Sequence, residues 1–244
     1  MSDLVDLMAA LRQDAEERSV AQHRAVRDDE AAGRRPGTPE LLPENGLGPL
    51  VGDSLRSTLR RRKANRFFAD QPVDADVLRR MVEAGHGADA SLWPVERAAR
   101  PLEFLVAARD VTGLRPAVHR HEPDGFTPLA DLAGTGELSA LVLQPEFALA
   151  PAILVAVGSL EDATDSAGSH GHRLLLERSG AACAAAWLTA VDAGLSGSIF
   201  AGFLPSALRR LVGIDGFRRT QLLALAVGQA REPSDEYGGR PVNA

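Results

Sequence analysis

Cysteine is nearly absent. The 244-residue chain carries one, Cys183, which excludes an intramolecular disulfide and any multi-cysteine metal site. Long apolar runs are lacking as well. None approaches the roughly 20 residues that span a bilayer. The opening residues, MSDLVDLMAALRQDAEERS, hold acids early and no basic n-region, so they do not read as a secretory signal. A basic excess is also missing. With a formal net charge of -6, the chain lacks the extended basic face that bulk nucleic-acid binding needs. These absences set the expectation of a cytoplasmic protein with neither a nucleic-acid nor a membrane partner. What is present, 45% hydrophobic and 25% charged residues, suits one globular domain with an appendage.

The appendage is read at residues 1–50. Leu4, Leu7, Met8 and Leu11 fall on one helical stripe, and the stripe then gives way to charge. The Pro- and Gly-rich PGTPELLPENGLGPLVG cannot continue a helix and marks a linker at about residues 33–52. Residues 51–244 form the domain. SLRSTLRRR reads as helix. DADVLRRMVEAG reads as a helix with Asp74 as N-cap, Val77, Leu78, Met81 and Val82 on one face, and Gly85 as its stop. LEFLVAAR and AILVAVGSL have strand length, and PLADL and ELSALVL read as short helical pieces. HRLLLERSGAACAAAWLTAVDAG is the longest helical stretch, ending at Gly194. Its Ala181–Val191 portion is almost wholly apolar, so it must be buried on most sides. PSALRRLVG is a helix stopped by Gly213, and TQLLALAVGQA a final strand. Helices and strands intermix without any repeat, a mixed α and β arrangement.

One stretch stands against the acidic whole. In RRRKANRFFADQPV, residues 60–73, five of the first seven side chains are basic. Arg62, Lys63 and Arg66 are spaced so that a helix end would gather them on one side. A guanidinium binds phosphate with two parallel hydrogen bonds and an ammonium binds it as a point charge. The residues alone fit either a solvated helix face or a phosphate site.

Arg62-Lys63-Ala64-Asn65-Arg66-Phe67-Phe68, followed by Gln71-Pro72-Val73, resembles the N-terminal signature of the nitroreductase-like flavoproteins. GLSGSIFAGF, ALRRLVGIDG and QLLALAVGQA are similar to the closing pattern of that family. The resemblance covers about residues 54–231. It implies an α+β sandwich with a central, mostly antiparallel sheet wrapped by helices. It also implies a homodimer with FMN between the protomers. By the same resemblance, Arg62, Lys63, Ala64 and Arg66 hold the phosphate and polar edge of FMN, with Arg231 as a further phosphate ligand. The backbone of Ala201 and Gly202 approaches the flavin ring, and glycine admits such an approach because no Cβ intrudes. Ala64 stands where the family has serine, so a hydroxyl contact is lost.

The middle of the chain narrows the resemblance. LEFLVAARDVTGLRPAVHRHEPDGFTPLADL and GSHGHRLLLERSGAACAAAWLTAVDAGL are similar to two segments of the SagB-type dehydrogenases, with Gly171, Arg173, Glu177 and Gly180 matching. That branch implies oxidation of azoline rings, thiazoline or oxazoline, to azoles in a ribosomally made peptide such as a thiopeptide. The implied partners are the azoline-containing precursor peptide and a cyclodehydratase. The flavin supplies the redox step and the protein supplies placement and a base. Ser169-His170 stands where the branch carries Lys-Tyr, which makes His170 the candidate base. An imidazole titrates near pH ~6.5. His172 is a weaker candidate, and both also fit plain histidines at a helix start. Two other readings stand beside this one: an NAD(P)H-dependent nitro or quinone reductase, and a flavin-poor docking subunit of a peptide-modifying complex. His119 and His121 flank Arg120 in a strand and so share a face. Without a third ligand they read as packing or groove-lining residues rather than as metal ligands. Trp93 either shields the flavin or packs, and Cys183 reads as a small buried hydrophobe.

Overall fold

The computed structural model describes residues 55–132 and 135–231. The N-terminal arm and its linker lie outside them. The elements run α1 (Leu55–Arg61), β1 (Val73–Asp74), α2 (Ala75–Leu92), α3 (Pro94–Ala99), β2 (Glu103–Ala108), β3 (Val111–Thr112), β4 (Ala117–Glu122) and β5 (Gly125–Asp131). There follow α4 (Thr135–Leu141), a 3-10 turn at Pro145–Leu149, β6 (Ala152–Gly158), α5 (Leu160–Ala167), α6 (Gly171–Asp192), β7 (Ser196–Phe200), α7 (Pro205–Val212) and β8 (Thr220–Gly228).

Six strands form one sheet in the order β5-β4-β2-β6-β8-β7, every neighbouring pair antiparallel. This is the α+β sandwich expected. The period-2 alternation of a strand sends successive side chains to opposite faces, and here both faces are covered. Along β6, Ala152, Leu154 and Ala156 join one core with α2 and α6. Ile153, Val155 and Val157 join a second core with α4, the 3-10 turn and α7. Every residue of β6 is therefore buried, which is why AILVAVG reads as a continuous apolar run rather than an alternating one.

The helix ends follow local chemistry. The Asp74 carboxylate accepts a hydrogen bond from the Asp76 N–H at 2.7 Å and so satisfies an orphan donor of the first turn of α2. Ser159 does the same for α5 through Asp162 N–H at 3.1 Å. Gly213 closes α7 with a left-handed φ of 69°. By length and composition the Leu160–Asp192 stretch is apolar enough to cross a membrane. Its apolar side chains serve the core instead: Leu175, Ala182, Cys183, Ala186, Trp187, Ala190 and Val191 are all buried.

Two expectations are corrected. Gly85 does not stop α2, which continues to Leu92. A Cβ at Gly85 would lie 2.9 Å from Phe104 Cζ and 3.1 Å from the Ala182 carbonyl oxygen, so this glycine lets α2 lie close against α6. Gly87, in the same helix, would place a Cβ in open space. The two positions therefore respond oppositely to alanine. Gly87→Ala raises stability by about 0.5–1 kcal/mol through the lost flexibility of the unfolded chain. Gly85→Ala lowers it by about 1–3 kcal/mol through overpacking. Paired urea melts of the two variants check the opposite signs. PLADL is also not helical: it is the end of β5 and the start of the loop beyond it. Pro128 pairs in register with His119 on an edge strand, where a missing N–H is tolerated.

Candidate functional site

The basic run lies along the free edge of β7. Ala64 bridges Gly197 in parallel fashion, and the Asn65 N–H donates to the Gly197 carbonyl at 3.0 Å. Farther along, Ala69 N–H donates to the Gln229 carbonyl, and Arg231 N–H donates to the Phe67 carbonyl at 3.1 Å. Phe68 bridges Ala230 and is buried. The Asn65 side chain folds over the same segment, donating to the Phe67 carbonyl at 2.7 Å. Residues 64–69 thus form a strap held on one side by β7 and on the other by the residues after β8. The strap joins the backbone of Phe67 to that of Arg231 and so links the two ends of the domain.

The cations are not equivalent. The Arg62 guanidinium carbon sits 4.7 Å from the centre of the Trp187 ring, a cation–π contact. Arg66 approaches Glu146 at 3.6 Å, with the arginine largely exposed, so this pair is weak. Neither Arg62 nor Lys63 has a carboxylate partner among the described residues. Their charge is available to an anion, and among the described residues a phosphate reaching Arg66 would compete with Glu146.

Glu146 links the strap to the end of β7. The next residue, Phe147, stacks on Phe200 with centroids 4.2 Å apart. Ala201 and Gly202 follow directly. Ala201 is exposed, and the Gly202 carbonyl accepts from the Leu143 N–H at 2.7 Å. A Cβ at Gly202 would come within 2.5 Å of Gln144 Oε1. That oxygen is itself buried without a hydrogen-bond partner among the described residues. Exposed cations along the strap, a turn at Gly202 where a side chain would have to displace Gln144, and a buried acceptor without a partner among the described residues suit a phosphate-bearing planar cofactor. Arg62, Lys63, Arg66 and Arg231 would hold its phosphate, and the Ala201-Gly202 turn would face its ring.

His170 is not brought to this cluster within one chain. It is exposed and ends the 3-10 turn ahead of α6, about 25 Å from Trp187 along the helix axis at roughly 1.5 Å per residue. His172 is likewise exposed near that end. Trp93 joins α2 to α3. Because α2 and α6 run antiparallel, Trp93 lies at the His170 end of α6 and not beside the basic strap. Cys183 is fully buried, and burial pushes its thiol up to about 12. It is chemically quiet, as expected.

Two features had no sequence reading. Trp187 is one, a single large ring in an alanine-rich stretch. The other is a buried ion pair between α2 and α6. Arg178 Nε and Nη2 donate to the two Asp89 carboxylate oxygens at 2.7 and 2.8 Å. The only advance signal was one arginine and one aspartate falling among the apolar positions of their helices.

His119 and His121 share a face, both packing on Phe126. His119 Nε2 meets the Arg115 carbonyl at 3.0 Å. No cluster of three metal-ligating groups occurs among the described residues. His121 also lies 5.9 Å from the His86 ring. Burial, followed by the neighbouring His86, lowers its pKa from 6.5 to about 4. The unfolded chain therefore binds a proton between those values that the folded chain refuses, and this contribution to stability falls as pH drops from about 6.5 toward 4. His121→Phe should flatten that part of the pH–stability curve, read as thermal midpoints at pH 7.5 and pH 5. Equal slopes for variant and parent would contradict it.

Comparison with known proteins agrees with this fold. A nitroreductase-type protein of Methanocaldococcus jannaschii, MJ1384, is 25% identical over 185 residues, covering 73% of this chain and 92% of that protein. A nitroreductase-type structure from Anabaena variabilis superposes with a TM-score of 0.61 at 18% identity, covering 72% of this chain but only 38% of that one. A chain of the E. coli microcin synthetase McbBCD complex, solved with truncated pro-MccB17 bound, superposes with a TM-score of 0.57 at 16% identity, covering 79% and 78%. The family model described as the nitroreductase family matches residues 59–229. That match spans the strap, the sheet and every candidate site residue except Arg231, and the protein belongs to the nitroreductase family of flavin-dependent oxidoreductases.

Proposed function

We propose that the protein is an FMN-dependent dehydrogenase that oxidises azoline rings to azoles in a ribosomally made peptide. The observation that supports the cofactor half is the strap, a basic run on the edge of β7 whose backbone pairs with Gly197 and with Arg231. The substrate half is supported by the SagB-like middle segments and by the likeness to a chain of a microcin synthetase complex. When bound, FMN supplies the two-electron oxidation. The residues of the chain anchor the phosphate, bring backbone against the ring and take a proton from the substrate. His170 is the candidate proton acceptor.

Its distance from the strap within one protomer requires that a second copy deliver it. Leu59 and Phe67 are exposed beside the strap, and Ala184 is exposed on α6. These apolar groups support a homodimer. A cyclodehydratase partner and a cytoplasmic location belong to the same reading.

The likeness to MJ1384 favours a second reading, an NAD(P)H-dependent nitro or quinone reductase. One pair of assays separates them. The first reading expects loss of two hydrogens from an azoline-containing peptide, measured by mass, with His170→Ala at least about tenfold slower, within the usual range for general-base removal. NAD(P)H consumption driven by a nitroarene, with no change in the peptide, would favour the second.

A further inference from the structure

Arg62 lies just ahead of the strap, and its aromatic partner, Trp187, lies far away in the sequence. Its backbone N–H donates to the Thr58 carbonyl at 3.0 Å, which continues the end of α1. Its guanidinium lies over the Trp187 ring at 4.7 Å. Trp187 is 8% exposed and belongs to the core between the sheet and the two long helices. The indole cannot readily shift, so the guanidinium above it is held on a fixed platform. A planar guanidinium stacked on a ring still presents its in-plane N–H donors outward, which is the geometry that grips a phosphate with two bonds.

The indole also carries a cost. Its Nε1–H is buried and has no hydrogen-bond acceptor among the described residues. A hydrocarbon side chain would fill the same core without stranding a donor. The aromatic face therefore has a use that packing alone does not explain, and tryptophan offers the strongest face for a cation.

We infer that Trp187 is a positioning residue for the phosphate end of the flavin: it holds Arg62, which has no carboxylate partner among the described residues, in place for the phosphate. The inference rests on the FMN reading above. It predicts that Trp187 matters for FMN and not for riboflavin, which has the same ring and no phosphate.

The experiment is equilibrium binding of FMN and of riboflavin to the full chain, followed by flavin fluorescence. It compares the parent with Trp187→Leu, Trp187→Phe, Arg62→Ala and the Trp187→Leu/Arg62→Ala double variant. Arg62→Ala should weaken FMN about tenfold or more and leave riboflavin unchanged. Trp187→Leu should reduce the FMN-over-riboflavin preference in the same direction, and Trp187→Phe should restore much of it. Trp187→Leu should add little in the Arg62→Ala background, because both act through one contact. If Trp187→Leu weakens both flavins equally, the ring is packing and the inference is overturned. Arg62 is exposed, so Arg62→Ala tests the inference even if the leucine variant fails to fold. An unchanged preference in Arg62→Ala overturns it while leaving the FMN reading intact. A parent that takes up neither flavin overturns both.

Discussion

Asp89→Ala should cost the domain about 3–5 kcal/mol, more than any other single substitution considered, because it strands a buried charge. Asp89 is 0% exposed and Arg178 3%. The arginine gives two hydrogen bonds to the carboxylate and a third from Nη2 to the Arg100 carbonyl at 2.9 Å. Removing the carboxylate leaves a guanidinium with nowhere to go between two packed helices. Domains are typically stable by only about 5–15 kcal/mol, so the variant sits near the edge of folding, with a midpoint lowered on the order of 10 °C. The pair itself is a different matter. Desolvating both ions offsets most of their attraction, so Asp89→Leu with Arg178→Met should recover most of the lost stability. Thermal melts of the single and double variants check both statements. A single variant that melts with the parent would show that the pair does not bear on the α2–α6 contact.

Reversing the charge of the strap should abolish flavin binding without unfolding the protein. Arg62→Glu with Lys63→Glu removes two cations that have no carboxylate partner among the described residues and puts two anions in their place. A doubly charged phosphate then meets repulsion where it met donors. The expected loss of FMN affinity exceeds about 100-fold, which is roughly two decades in Kd. Both side chains are exposed, so the melting temperature should move little. The parent's affinity should also fall as salt rises, since exposed charges are screened over a Debye length of about 10 Å at 0.1 M. FMN titration of parent and variant, at low and high salt, measures both effects. Full retention of flavin by the double variant would place the phosphate elsewhere.

Much of the fold was legible because its signals are local. The Asp74 cap, the apolar face from Val77 to Val82, and the stops at Gly194 and Gly213 depend on residues within a turn or two. The failures came from contacts remote in sequence. Gly85 looks like a helix stop until Ala182 and Phe104 are seen against it. PLADL carries helix-forming residues, yet the hydrogen-bonding edge of β4 draws it into the sheet. Pro128 is admitted only because β5 is the outermost strand, a fact that no local pattern contains.

The candidate site divides in the same way. The basic residues of the strap were visible as a charge run, and the family resemblance supplied their meaning. The backbone pairing of Phe67 with Arg231 joins the two ends of the domain, which no local pattern contains. The Trp187 platform and the Asp89–Arg178 pair were invisible because each joins two segments that sequence alone does not place side by side. His170 stands at the motif position of the resemblance, and the fold places it at the opposite end of α6 from Trp187.

The central claim is that the strap holds a flavin phosphate. The most direct test is the visible absorption spectrum of the purified protein, with the cofactor released and identified. The expected result is a flavin spectrum, FMN as the released compound, and close to one FMN per chain. A colourless protein that takes up no added FMN would contradict it, and would leave the strap as a surface for an anionic partner.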